Sequence, residues 1–227
     1  MQIEKLGFVE GVFIEEIKNR FRCLVSVDGV QKICYVPSSC RLSNFIELQN
    51  KKVLLQSNAS ITLKTEYTIF AVENRNGYIL LNLSSANAII ADQLYRRYFS
   101  FLGKRKQLQR EVMIGNYKAD IYVKDTDTII EVKTILSENR ETVFPTVFSA
   151  RALQQLNIIN ELLVMGKKVC YIFVSMNPYT KKVRLIKNTQ FYNAFLKCVS
   201  NGMTYTGYAL SMGENSIEIS STIEIIK

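Results

Sequence analysis

Asp120, Glu131 and Lys133 are the side chains whose types and spacing promise chemistry. Glu131 and Lys133 lie one residue apart in the stretch TDTIIEVKT, among Ile129, Ile130 and Val132. An apolar run of this kind reads as a buried or half-buried strand, and side chains alternate along a strand, so the acid and the base share one face. Asp120 stands in the preceding apolar run, across a polar turn at 124–127, and a hairpin there brings it toward that face. Two carboxylates so placed repel each other and stay ionised cheaply only around a cation. Mg²⁺, or Mn²⁺ in its place, suits such oxygen donors, and the Val132 carbonyl is positioned to add a third. An ion held this way lowers the pKa of a bound water and neutralises charge developing on a phosphodiester. Lys133 beside it is placed to orient that water or to stabilise the transition state.

The D-x10-E-x-K spacing is that of the PD-(D/E)XK nucleases, with Ala119 where their proline usually stands. A motif this short also arises by chance, and its plain alternative is a surface hairpin with a neighbouring ion pair worth little. Charges closing a buried strand tilt the reading toward a site, because α/β proteins place sites at strand ends. Several other chemistries are excluded. The chain has no histidine, which removes histidine triads, histidine general bases and histidine metal ligands. Its five cysteines, Cys23, Cys34, Cys40, Cys170 and Cys198, form no CxxC pair. That argues against a disulfide framework or a zinc ribbon and suits a reducing cytoplasm. Cys40, near a predicted loop, lacks the histidine that usually activates a thiol nucleophile.

The elements that must hold these residues fall into two groups. Strands are predicted at 8–17, 20–27, 31–36, 52–56, 67–73 and 78–83, with Asp28-Gly29 and Asn76-Gly77 as hairpin signals. Five or six short strands joined by turns suggest a small closed barrel of the OB type, although pattern alone does not separate it from other small β-barrels or sheets. After Leu83 the period changes. Ser84 or Ser85 is a candidate cap for a helix running through Ala91, Leu94 and Tyr95 towards Phe99. Further strands are expected near 111–113, 119–123, 128–134, 169–174 and 203–209, and helices over 150–165 and 189–199, with Gly166 and Asn201-Gly202 at their ends. Helices alternating with apolar strands imply an α/β layer, giving a two-domain chain of 1–83 and 84–227.

The formal net charge of +9 favours a polyanionic partner, either nucleic acid or an anionic membrane surface. The segment 95–110, YRRYFSFLGKRKQLQR, carries six basic residues, no acidic ones and four aromatics. Arg96, Arg97, Lys104, Arg105, Lys106 and Arg110 are its candidate phosphate contacts, and its rings are candidate stacking faces. The competing reading places the rings in the core and the charges on a wet helix face. The amino-terminal residues lack the apolar core of a signal peptide, and no run approaches the ~20 apolar residues of a membrane span, so a cytoplasmic protein without a membrane association is expected. No protein partner is inferred.

Longer stretches carry a resemblance. GNYKADIYV, TIIEVKTILSENRETVFPTVFSARALQQL and MGKKVCYIFV occur in the order and spacing of the sugar fermentation stimulation protein family, as do KNRFRCLVSVDG, VPSSCRL and LLNLSSAN in the amino-terminal half. The resemblance spans nearly the whole chain. It implies an N-terminal OB-fold β-barrel followed by a PD-(D/E)XK nuclease-like α/β domain, with DNA binding. Asp120, Glu131 and Lys133 match the family's metal and catalytic motif, Glu111 matches an acid read as an additional metal ligand, and Arg151 matches an arginine at a helix start, where it would meet a phosphate. The chain departs from the family pattern at Thr146, Ala150 and Gln155, where the family usually has Asp, an acid and histidine, and at Ser38-Ser39, which replace an Asn-Thr pair.

The expected function is a Mg²⁺-dependent nuclease acting on DNA or RNA. The alternative is a non-catalytic DNA-binding regulator of sugar (maltose) metabolism genes, motivated by the basic charge and the drifted neighbours of the motif. A carbohydrate-binding barrel is a third reading, disfavoured because the chain has no tryptophan.

Overall fold

A computed structural model describes residues 7–38, 40–58, 65–75, 77–214 and 216–227. The amino-terminal residues read for a signal peptide fall partly outside these ranges, as do Ser39 of the Ser38-Ser39 pair and Asn76 of the second hairpin signal. The six expected amino-terminal strands are present as β1 (Phe8–Glu16), β2 (Arg22–Val27), β3 (Val30–Tyr35), β4 (Lys52–Ser57), β5 (Tyr67–Asn74) and β6 (Gly77–Leu80). Burial alternates along β2, with Cys23, Val25 and Val27 inside, which is the period-two signature that made the strand readable. Asp28 and Gly29 both take positive φ, 49° and 79°, as a two-residue hairpin turn of the type matching strand twist requires. β1 pairs with β2 on one side and β4 on the other. β3 also pairs with β5 in parallel, Cys34 against Tyr67 and Tyr35 against Thr68. The ladder β1–β2–β3–β5–β4 thus returns to β1. β1 and β2 approach closely at Gly11, where a Cβ would sit 2.6 Å from Val25 Cγ1.

The second group forms a six-stranded sheet in the order β14-β13-β11-β9-β8-β7. Its strands are β7 (Leu108–Ile114), β8 (Tyr117–Val123), β9 (Thr128–Ile135), β11 (Lys168–Ser175), β13 (Thr204–Met212) and β14 (Ile217–Thr222). β9, β11 and β13 run parallel, and the outer pairs are antiparallel. A parallel strand is buried on both faces, and β11 accordingly reads VCYIFVS with every one of those side chains buried. One face meets α2 (Ala150–Val164) and α3 (Gln190–Ser200), whose apolar residues join Ile129, Tyr171 and Phe173 in one core. The other face, with Ile121, Ile130, Val132 and Ile172, shares a core with α1 (Ala86–Gln93) and the amino-terminal strands. Helix ends follow the expected chemistry. Ser149 and Thr189 cap α2 and α3 by accepting from Ala152 and Tyr192 N–H, and Gly166 (φ 86°) lets Lys167 N–H reach back to the Leu162 carbonyl at 2.9 Å.

Three expectations need correction. The first helix does not run to Phe99: α1 stops at Gln93, Arg96 is extended (ψ 159°), and a 3₁₀ turn covers Arg97–Leu102. The Leu94 and Tyr95 carbonyls, which a longer helix would offer to later N–H groups, are taken by the Arg105 guanidinium at 2.5 and 3.5 Å. Ser85 occupies the position before α1 without capping it; its hydroxyl donates to the Asn82 carbonyl at 2.6 Å. Four strands were missed: β14, β10 (Glu141–Phe144), β12 (Lys182–Leu185) and β15 (Glu224–Ile226). The last three form a separate parallel sheet from segments far apart in sequence. Among the described residues, no helix is long and apolar enough to cross a membrane.

Candidate metal centre

β8 and β9 pair from Val123/Thr128 to Ile121/Ile130 and then part. At that fork Asp120 and Glu131 meet. Around Asp120 the alternation of β8 flips, with Tyr117 and Ala119 in the helix-side core and Ile121 and Val123 in the opposite one. The ladder to β7 is also interrupted there: Arg110 pairs Ile121 and Val112 pairs Ala119, while Glu111 between them takes φ 49°. The distortion frees the Asp120 side chain to replace ladder hydrogen bonds. Its Oδ2 accepts from Val132 N–H at 2.8 Å, and its Oδ1 accepts from Asn87 Nδ2 in the first turn of α1 at 2.8 Å. N–H and C=O of one strand residue point to the same side, so the Val132 carbonyl opens toward Asp120 as well.

Glu131 and Lys133 share a face, as alternation requires. Lys133 Nζ donates to Glu131 Oε1 at 2.5 Å and to Gln155 Oε1 on α2 at 2.7 Å. Tyr117 donates its hydroxyl to Glu131 Oε2. Glu131 is 0% exposed, and a buried carboxylate is tolerated only when paired and hydrogen-bonded. Lys133 and Tyr117 meet that requirement. Beside Glu131 on β11 stands Tyr171, whose buried hydroxyl has no hydrogen-bond partner among the described residues. Burial first, and then the facing Glu131, push the Asp120 carboxyl up from 3.8 to about 6. Burial and Glu131 likewise raise the Tyr117 hydroxyl far above the ordinary tyrosine range.

Above Asp120 a cleft of about 420 Å³ opens between β7, β8 and α2, lined by Asn87, Glu111, Lys118, Asp120, Arg151 and Gln155. Glu111 lies on this cleft, with its carboxylate on Lys118 at 2.8 Å at the surface. Among the described residues, no three Asp, Glu, Cys or His side chains converge on one ion-sized space. The Asp120 and Glu131 carboxylates are close enough to act on each other electrostatically, and Val132 N–H bonds the first of them. Carboxylate oxygens suit a hard divalent cation, which would offset the burial and, after it, the Glu131 repulsion that raise the Asp120 carboxyl.

Of the candidate nucleic-acid contacts, Arg96, Arg97, Lys106, Arg110 and Arg151 are exposed. Lys104 pairs with Asp125 at 3.2 Å. Arg105 is spent on structure: besides Leu94 and Tyr95, it donates to the Gly103 and Arg96 carbonyls at 2.7 and 3.1 Å. Sequence reasoning missed Asn87, Tyr117 and Tyr171. Asn87 and Tyr117 lie within the quoted stretches LLNLSSAN and GNYKADIYV, yet their partners are set by tertiary approach. Gln155, noted only as a departure, supplies the second acceptor for Lys133.

Comparison with known proteins decides the family. Residues 84–216 match the sugar fermentation stimulation protein RE domain, and residues 17–81 match the SfsA N-terminal OB domain. The chain belongs to the sugar fermentation stimulation protein family. A sugar fermentation stimulation protein homolog from Acetivibrio thermocellus is 28% identical over 208 residues, 88% of each chain. One from Clostridium kluyveri is 24% identical over 225 residues, covering 96% of this chain and 97% of that one. The structure of Pyrococcus furiosus SfsA in complex with Ca²⁺ shares the fold over 100% of both chains, with a TM-score of 0.80 at 16% identity. All the residues of the fork, from Asn87 to Gln155, fall inside the span matched by the second of the two SfsA domains.

Proposed function

We propose that this chain is a divalent-metal-dependent phosphodiesterase of DNA or RNA, with a nuclease-like carboxy-terminal domain and an amino-terminal OB barrel that helps to hold the strand. The observation that carries the reading is the fork itself: Asp120, Glu131 and Lys133 gathered where two strands part, beneath a cleft open to solvent. Asp120, Glu131 and the Val132 carbonyl would hold Mg²⁺ or Mn²⁺, which when bound supplies a Lewis acid and an ionised water. The Ca²⁺ complex of the Pyrococcus furiosus relative supports a divalent ion at this fold. Asn87 and the Val132 N–H fix the Asp120 carboxylate, and Tyr117 fixes that of Glu131. Lys133, steadied by the cleft-lining Gln155, keeps a cationic donor beside Glu131, where it would stabilise charge building on a phosphate oxygen. Arg151 lies on the cleft and meets an adjoining phosphate.

A second reading, a DNA-binding regulator without turnover, is favoured by one observation: Glu131 is fully buried with both oxygens bonded. The two separate in one experiment. Wild type and Glu131→Ala are incubated with single- and double-stranded DNA and RNA in Mg²⁺, Mn²⁺ or EDTA. Cleavage that needs both the metal and Glu131 is the expected result. Binding without cleavage under every condition would hand the protein to the second reading.

A further inference from the structure

The turn after α1 separates its side chains in an unusual way. The 3₁₀ segment Arg97–Leu102 is kinked at Phe99, whose backbone is non-helical (φ −108°, ψ 16°), and burial shows which rings face in and which face out. Phe99 and Leu102 form the inner face, 0% and 7% exposed. Tyr98 and Phe101 form the outer one, 47% and 52% exposed, and Tyr95, three residues before Tyr98, is 67% exposed. Large rings left in water this close together are a cost unless something covers them.

The backbone beneath these rings is held from three sides. Arg105 binds the carbonyls of Leu94, Tyr95, Arg96 and Gly103. Tyr208 donates its hydroxyl to the Tyr98 carbonyl at 3.0 Å. Asp125 accepts from Gln107 N–H at 2.7 Å while pairing with Lys104. A segment with a locked backbone and projecting rings is preorganised for binding, since little ordering remains to be done. Its charge selects the occupant. Residues 95–110 contain six basic and no acidic side chains, and Arg97 and Lys106 of this segment are exposed to solvent.

The geometry points to a stacking platform for single-stranded nucleic acid, formed by Tyr95, Tyr98 and Phe101 with Arg97 and Lys106 on the backbone phosphates. Duplexes hide base faces, whereas an unpaired strand offers one to each ring. The inference rests on the nucleic-acid reading above and deepens it by naming the strand form. α1 links the platform to the fork: Asn87 in its first turn bonds Asp120, and Tyr95 lies just beyond its last turn, so the helix spans about 12 Å between them. The rings and the cleft-lining Asn87 thus lie near the two ends of α1, a separation that a few nucleotides would span.

The test is fluorescence anisotropy of labelled oligothymidylate and of a matching duplex, across a salt series without divalent metal. Tyr98→Ala/Phe101→Ala is expected to weaken single-strand binding about tenfold or more, leaving the duplex and the salt slope unchanged. Tyr98→Phe, which keeps the ring, is expected to bind as wild type. Arg97→Ala should weaken binding and lower the slope by about 0.7 for the single strand. An unchanged single-strand affinity in the double variant overturns the platform. If that occurs while wild type still cleaves, the platform alone falls. Ring-dependent binding without any cleavage sinks only the catalytic reading. Absence of oligonucleotide binding by wild type overturns both and assigns the rings to a protein partner.

Discussion

The fork at Asp120 and the turn at 95–102 both concentrate charge, and they spend it in opposite ways. At the fork the side chains are committed: Glu131 to Tyr117 and Lys133, Asp120 to Asn87 and Val132, Lys133 to Gln155. At the turn the backbone is committed, and the rings and most cations project into solvent. Burial makes the fork electrostatically expensive and chemically potent, because attraction and repulsion both grow in a poorly solvated site. Exposure makes the turn cheap, with each cation worth little to stability. Substitutions at the fork should therefore register in folding as well as function, and those on the outer face of the turn in function alone.

The largest effect is expected at Glu131. Glu131→Ala leaves the Lys133 ammonium and the Tyr117 hydroxyl without their shared acceptor, which should destabilise the fold by about 3 kcal/mol, as removal of one partner of a buried pair does. Glu131→Gln keeps an acceptor for one of them and should cost about half as much. Urea unfolding midpoints of the three proteins measure this, and equal stability of all three would mean that the buried network is loosely held.

Asp120 should move stability the other way. Its folded-state carboxyl stands at about 6 against an ordinary 3.8, so the native chain binds this proton more tightly than the unfolded chain does. The contribution of this group to stability is then favourable at low pH and is lost as pH rises through 3.8 toward and past 6. Asp120→Asn removes that loss. It should be more stable than wild type by about 2 kcal/mol at pH above this window, with the difference vanishing below it. Urea midpoints taken on either side of pH 6 decide the sign. Divalent ions should reverse the ranking by raising the wild-type midpoint and leaving that of Asp120→Asn nearly unmoved.

How much of this was legible in the residues follows from which forces act locally. The amino-terminal strands were readable because alternation and Asp28-Gly29 are local signals. Glu131 and Lys133 were readable because charge inside an apolar strand contradicts its surroundings. The same logic placed Asp120 across the hairpin, 11 residues earlier in the chain. The partners were not readable. Asn87 reaches Asp120 across 33 residues, and Tyr117 reaches Glu131 across 14. Whether a polar side chain meets another or meets water depends on packing that no window displays. The parallel ladder of β10, β12 and β15 joins residues near 141, 182 and 224, and strands of three or four residues carry too few alternations to register.

Arg105 and Arg97 put the comparison in its sharpest form, because composition treats them as equals. Arg105 is half-buried and ties four carbonyls together across the end of α1. Arg97 is exposed on the 3₁₀ turn. Arg105→Ala takes a donor from all four carbonyls, of which that of Arg96 keeps the Phe99 N–H at 3.1 Å, a loss of about 1–2 kcal/mol. Arg97→Ala should change stability by less than about 0.5 kcal/mol. Oligonucleotide binding should separate them differently. The loss at Arg97 is electrostatic and fades as salt rises, whereas Arg105→Ala loosens the backbone under Tyr95 and Tyr98 and should weaken binding at every salt concentration. Parallel salt titrations of the two variants would show this, and superimposable curves would mean that the turn holds its shape without the Arg105 brace.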